Sequence, residues 1–540
     1  MFVSSESRFF PRMRREVSHC WTRRLSACLV FSLLVLHAFT AVADTASDAE
    51  AALDANQRKD YDRAIPLWDR VLASKDLPDD DRSIAYYNRG VAYLLKRKNE
   101  LGRAIADFDE AIRLEPNFAQ AFGYRGAAYY EKRQSEQALK DLDKALQLKP
   151  DFSDAYRYRG VVQMGNGQRE RAIADFGEAV RLNPNDIEAY YKRGVARALM
   201  GQNDGAILDF DIAVQRDPKY VDAYSDRGQI YLKTGQTNRA IADFDAALRL
   251  APSNVLAHFR RGNAYLAQNR YDEALSDFDA TIRVKPDYAE VYVNRSFAYY
   301  KTGQFDRAIA SSTTAIGLNT NLAGAYMNRG LAYKSKGDSD AAIADFDAVL
   351  QLQPPSTDVY FYRAVSYMQK RDPQRALADA KAALRLDPSD AASLRLRGFI
   401  HFTEGNFREA AASFEQALKL SKDAYTILWL HLARARMGQA DPAEIARNAE
   451  QLNHAQWPKP LVMLYLGKTT IGEARSAAKK SDAKERRERS CEAAFHGGEY
   501  ELLRKNTIAA KPLLEQAVKI CPVDSPEYVI APVELRRIAD

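Results

Sequence analysis

Glycine recurs every 34 residues along most of this chain. Gly126, Gly160, Gly194, Gly228, Gly262, Gly330 and Gly398 stand on one grid, with Ser296 and Ala364 in its two gaps. A fixed period of this length means a repeat architecture, which overrides any division of 540 residues into ordinary globular domains. Twelve residues after each grid position stands an alanine: Ala138, Ala172, Ala206, Ala240, Ala274, Ala308, Ala342, Ala376 and Ala410. Four residues further there is usually a bulky apolar side chain: Leu142, Phe176, Phe210, Phe244, Phe278, Phe346 or Phe414. Pro150, Pro184, Pro218, Pro252, Pro286, Pro354 and Pro388 close the units, because proline cannot continue a helix. Each unit therefore reads as two helices meeting where the small residue lets them approach.

A tyrosine three residues after the small residue (Tyr129, Tyr231, Tyr265, Tyr299, Tyr333, Tyr367) completes the 3/4 spacing of an amphipathic first helix. The glycine, tyrosine, alanine, phenylalanine and proline positions together resemble the tetratricopeptide-repeat consensus. The grid extends upstream through Gly90, Ala104 and Phe108, and before that through Ala64 and Trp68. The expected fold is all-α, a right-handed superhelical solenoid of helix–turn–helix repeats. About eleven repeats fill residues 44–424, divergent helical repeats follow over 425–490, and a final repeat-like hairpin with a capping helix spans 491–540.

Such a stack presents its first helices on a concave face. The resemblance places Tyr87, Asn88, Tyr124, Tyr130, Tyr158, Tyr191, Lys192, Phe259, Asn263, Asn294, Phe297, Tyr300, Asn328, Phe361, Tyr362 and Phe399 at groove positions. Aromatic anchors with interleaved amides suit an extended peptide, whose backbone needs donors and acceptors; the alternative is packing between neighbouring first helices. No unit carries the lysine and asparagine pair of chaperone-binding repeats. An arginine precedes each grid position, from Arg89 to Arg397, and an aspartate precedes most of the bulky residues, from Asp107 to Asp379. These read as a ladder of ion pairs within or between units, worth ~0.2–1 kcal/mol each if exposed.

The formal charge of +6 sits largely in residues 1–43, which carry six arginines against two glutamates. The remainder is close to balanced and offers no electrostatic footprint for nucleic acid. A basic stretch ending at Arg23–Arg24, an apolar run from Leu25 to Phe39 and the Ala41-Val42-Ala43 pattern read as an export signal cleaved after Ala43. The expected location is periplasmic or secreted. The alternative is an uncleaved membrane anchor, since Leu25 to Ala43 is long enough to span. Lipidation at Cys28 is not expected, because the apolar run follows that cysteine.

The mature chain then holds Cys491 and Cys521. They lie symmetrically about a turn near Asn506, so an antiparallel hairpin brings them level and a disulfide is expected, with two buried thiols as the alternative. Leu428-Trp429-Leu430, Trp457, Leu464-Tyr465-Leu466-Gly467, Cys491-Glu492-Ala493-Ala494-Phe495, Glu527-Tyr528 and Glu534-Leu535 resemble the C-terminal part of the NlpI lipoprotein family. That resemblance implies a bacterial envelope adaptor for proteases and peptidoglycan-cleaving enzymes. This chain differs in having many more repeats and no lipidation site.

The seven histidines are scattered, and no metal-ligand cluster, nucleophile elbow or phosphate loop appears. The expectation is a non-catalytic scaffold with no cofactor and no metal, binding other proteins or extended peptides. The alternative is an assembly factor of a secretion or polysaccharide-export machine. N-terminal sequencing of the exported protein is expected to begin at Asp44; a mature chain retaining Phe31 would overturn the cleavage.

Overall fold

A computed structural model describes residues 44–96, 100–421, 423–450, 457–479 and 482–539. The expected export segment 1–43 lies outside them. Every regular element among the described residues is a helix, and consecutive helices pack as antiparallel pairs. The chain divides into two compact units, one ending at Pro252 and the other running from Ser253.

In the first unit the pairs begin with 44–57 and Tyr61–Ala73 and continue in step with the sequence period, for example Val221–Lys233 with Thr237–Leu250. The second unit repeats the scheme from Val255–Ala267 and Tyr271–Val284 to Ala391–Glu404 and Phe407–Leu420. The second helices end at Leu148, Leu182, Arg216, Leu250, Val284, Leu352 and Leu386, each two residues before the marking proline. The turn inside a repeat needs a left-handed residue. Gly235 supplies it at φ 77°, and Asn269 takes the equivalent place at φ 58°.

The grid glycine is explained by contact. A Cβ on Gly228 would lie 2.8 Å from Cε1 of Phe244, and one on Gly398 only 2.5 Å from Cε1 of Phe414. The ring of the second helix fills the volume that a side chain on the first would need. The two gaps in the grid obey the same rule in reverse. Ser296 faces a unit whose bulky position is Ser312, and Ala364 one whose bulky position is Ala380, all four fully buried. Small-with-large has become small-with-small in both helices together.

The arginine before each small residue reaches two helices at once. Arg227 grips Asp243 of its own second helix at two points (Nε to Oδ2 2.8 Å, Nη2 to Oδ1 2.6 Å), while its Nη1 donates to Asp211 of the preceding repeat at 2.6 Å. Arg89, Arg125, Arg159 and Arg363 do the same with Asp107 and Asp69, Asp141 and Asp109, Asp175 and Asp143, and Asp379 and Asp347. Ring faces cover the guanidinium: that of Arg227 lies 5.5 Å from the Tyr224 centroid and 6.0 Å from that of Tyr231.

The ladder thus runs both within and between repeats, and its energetics differ from the sequence expectation. The aspartates of the arginine's own repeat are not surface groups: the Asp209 side chain is 1% exposed and that of Asp243 9%, whereas Asp211, contributed by the preceding repeat, is 45% exposed. Removing one partner leaves a charge stranded in a dry environment, which costs several times what an exposed pair does.

The C-terminal region is helical over Ala424–Arg436, Pro442–Glu450, Lys459–Tyr465, Ile471–Ala478, Ala483–Leu503, Thr507–Ile520 and Pro526–Ala539. The expected boundary between 490 and 491 falls inside Ala483–Leu503. The charged run there is helix, started by Asp482 accepting from the Glu485 amide (3.0 Å) and supported by the Glu485–Arg489 pair one turn apart.

Asp243→Ala is expected to lower the unfolding free energy by about 3–5 kcal/mol. Glu178→Ala, which removes the exposed pair with Arg181, should cost under ~1 kcal/mol. Urea unfolding of both variants checks the contrast; equal losses would overturn it.

Candidate protein-binding surface

The first helices of neighbouring repeats lie side by side, and the groove positions read from sequence face one another across that seam. In the first unit the rings of Tyr87, Tyr124 and Tyr158 form a chain with centroid spacings of 5.7 and 5.9 Å. Their polar tips are engaged internally. Tyr124, buried, donates to Asp154 (3.1 Å), and Arg157 bonds Asp154 (3.2 Å) and Asp186 (3.0 Å) while lying 4.5 Å over Tyr158. Tyr191 donates to Asp226 at 2.9 Å, and Lys192 pairs with Glu188 at 3.3 Å. Asn88 donates to the Ile84 carbonyl of its own helix (2.8 Å), and Tyr130 lies against Gly165 of the next repeat. Packing across the seam, the alternative kept open above, describes Tyr124, Tyr158 and Tyr191.

The second unit uses amides for the same purpose. Asn294 donates to Asn263 (2.7 Å), and buried Asn328 donates to the Val293 carbonyl (3.0 Å) and Ser296 (2.9 Å). Phe259 packs on Tyr288 with centroids 4.9 Å apart, Lys301 sits over Phe297, and Tyr300 meets Phe305. Tyr362 stacks on Phe346, and Phe361 meets Tyr362 edge-on.

Further along this unit the seam opens into a cavity of about 150 Å³ lined by Phe361, Val365, Met368, Leu396, Phe399 and Arg395. Its far wall is the chain's own C-terminal segment: Val523, Asp524, Ser525, Pro526, Val529 and Ile530. That segment is held by Gln369 donating to the Val523 carbonyl (2.9 Å) and by Arg537 donating to the Phe402 (3.3 Å) and Thr403 (2.7 Å) carbonyls. Phe399 is committed on its other side to Trp429, centroid spacing 5.0 Å. Sequence reading located Phe361 and Phe399 but missed Val365, Met368, Leu396 and Arg395. The missed signal is an apolar stripe at i, i+4 and i+7 (Phe361, Val365, Met368) on a first helix that already has a core face.

The segment is anchored from below. Cys491 and Cys521 are bonded, with Cα atoms 4.8 Å apart, joining Ala483–Leu503 to the end of Thr507–Ile520. Behind them lies a buried polar cluster. Arg436 bridges Glu499 and Glu534, both fully buried, and Arg537 also bonds Glu534. Burial, and then the Glu534 charge, push Glu499 above the ordinary glutamate range. Burial and then Glu527 do the same to Glu492, which accepts from the Trp457 indole. Burial pushes His496 down to about 3, so it is neutral; its Nδ1 lies 3.0 Å from the Tyr465 hydroxyl. Among the described residues no group of three or more His, Cys, Asp or Glu is arranged to hold a metal, and no helix is long and apolar enough to cross a membrane.

Family models of the tetratricopeptide repeat match residues 49–117 and 225–289, 188–220, 289–322 and 323–356, and 364–437. A further model, TPR repeat, matches 126–167 and 164–201. Over 78 residues the chain is 31% identical to the tetratricopeptide repeat domain-containing protein PYG7, chloroplastic, of Arabidopsis thaliana, spanning 14% of this chain and 25% of that relative's length. Among solved structures it is similar to yeast Tom70 (16% identity, 76% of this chain and 99% of that one, TM-score 0.33). It is also similar to the Cut9–Hcn1 hetero-tetramer of APC/C (13% identity, 92% and 96%, TM-score 0.41).

Because folding raises the Glu499 and Glu492 carboxyls above their unfolded values, their contribution is fully present at acidic pH and lost as pH climbs through the raised range. Thermal stability of the C-terminal region is expected to fall from about pH 4.5 to about pH 8. Glu499→Gln should flatten that slope in calorimetry; an unchanged slope would overturn the assignment.

Proposed function

Because the chain belongs to the tetratricopeptide-repeat proteins, we propose that it is a non-catalytic adaptor of the bacterial cell envelope that recruits client proteins, proteases or peptidoglycan hydrolases, on the face formed by its first helices. Repeat stacks of this kind bind other proteins through such a face. The observation that carries the reading for this chain is the cavity beside Phe361 and Phe399, because most other aromatic tips on the seam are engaged internally. Its walls are apolar, its volume suits one bulky side chain, and Arg395 and Asp524 at its lining give orientation.

The envelope setting is supported by three separate features. Residues 1–43 have the make-up of an export signal, the Cys491–Cys521 bond suits an oxidising compartment, and the C-terminal residues resemble an envelope adaptor family. The N-terminal segment, if uncleaved, would add a membrane anchor to the same role.

Affinity capture from a periplasmic extract tests the proposal. Wild type is expected to recover a protease or a peptidoglycan hydrolase, and Val365→Trp, which fills the cavity, and Arg395→Glu to lose it with the helical signal intact. Recovery of secretion-machine components would overturn the adaptor reading. Capture unchanged by both variants would overturn the cavity as its site.

A further inference from the structure

The repeats can be compared with one another as if each were a homologue, and one of them breaks the charge ladder. In the ladder, each guanidinium has two carboxylate positions: one on its own second helix, before the bulky residue, and one on the preceding second helix, just after it. Arg363 fills both, with Asp379 and Asp347. Arg295 keeps Asp279 and meets Ser311 in the other place, while Arg329 keeps Asp345 and meets Thr313. Arg397 has neither.

Its own second helix offers Ser413, whose Oγ accepts from Nε at 3.0 Å, and the exposed Gln416, which accepts from Nη2 at 2.7 Å. The preceding helix offers Lys381 where most repeats have aspartate, so a cation stands in an anion's place. Nη1, which in most repeats donates to the preceding repeat, has no hydrogen-bond partner among the described residues. Burial alone shifts the Arg397 guanidinium, downward, whereas Arg329 is raised, first by its bond to Asp345. Arg397 and Lys381 both act on the neighbouring imidazole of His401, which burial, ahead of these charges, holds below the ordinary histidine range; Glu404 and Glu409 oppose them there. Lys381 is exposed and Arg397 half-buried, so the slot is accessible from solvent on the side where the second helices lie.

We propose that this slot is a binding site for a carboxylate supplied in trans: Arg397 and Lys381 receive an aspartate or glutamate side chain from an acidic segment of a client protein. The geometry that receives an internal aspartate in the other repeats receives the partner's here, with Arg397 Nη1 and Lys381 Nζ as donors and Ser413 leaving the room. A half-buried guanidinium pre-set for a carboxylate binds one more strongly than a solvated lysine does. The inference rests on the reading of the chain as a protein-binding scaffold, but it concerns a different face from the cavity.

The test is a titration of dye-labelled hexaglutamate into the full-length protein, followed by anisotropy. Wild type is expected to bind in a salt-sensitive manner. Arg397→Gln should weaken binding by roughly ten-fold or more. The double variant Ser413→Asp, Lys381→Asp supplies both missing carboxylates from within. It should lose binding to the same extent while its unfolding midpoint stays equal or rises, which separates a filled slot from a damaged fold. Unchanged binding in the double variant, or no binding by wild type, would overturn the proposal. Inorganic phosphate binding in place of the peptide, blocked by the same variants, would assign the slot to a free anion and overturn the partner class. Client capture at the cavity is measured separately with Val365→Trp, so failure here leaves that reading standing.

Discussion

Everything else in this structure depends on two helices touching closely inside each repeat. With no side chain at Gly228, the ring of Phe244 sits directly on the first helix, and the pair closes to a spacing that no larger residue allows. Close-packed interiors tolerate little change of volume at a single position. The Ser296–Ser312 and Ala364–Ala380 pairs keep that rule by altering both sides together. Once the pair is formed, its first helix has two further faces. One carries the arginine toward the second helices, and the other carries aromatic and amide groups toward neighbouring first helices.

Those two faces differ in what they leave for a partner. On the arginine face most of the charges are met by carboxylates of two repeats, Arg193, Arg295 and Arg329 by that of one, and Arg397 by none. On the seam face Tyr124, Tyr191 and Asn328 are tied to the next or previous repeat, so they fix the angle between repeats. The aromatic character that makes such residues good interface anchors also makes them good internal struts. The region around Arg395 differs because the apolar stripe of Phe361, Val365 and Met368 and the following first helix, Ala391–Glu404, leave a cavity between them that the C-terminal segment closes.

The helical pairs, their turns and the proline stops were legible from period and residue size, because each depends on residues within one repeat. The arginine ladder was legible as a pairing but not in its energetics, since burial of Asp209 or Asp243 arises only when three helices assemble. The groove residues were legible as a face and not as free groups: whether Tyr191 is available depends on Asp226 in the next repeat. The cavity was the least legible part. Its far wall, Val523 to Ile530, is remote in sequence from Phe361, and no local pattern announces that contact. The boundary expected at 490 was misplaced because the Asp482 cap starts one helix that runs through it to Leu503.

The bridging arginines also bear on how such a chain changes length. Each takes one carboxylate from its own repeat and one from the repeat before it, so the array has a direction, like a sentence in which each word agrees with the last. Duplicating or deleting a whole 34-residue period from repeats that carry both aspartates leaves their guanidinium groups matched. A cut at any other spacing leaves a buried arginine facing the wrong helix. Recombination between repeats is thereby filtered by electrostatics toward whole periods. A stack of this design can lengthen or shorten over generations while its C-terminal closure, held by its own bonds to Phe402 and Thr403, stays as it is.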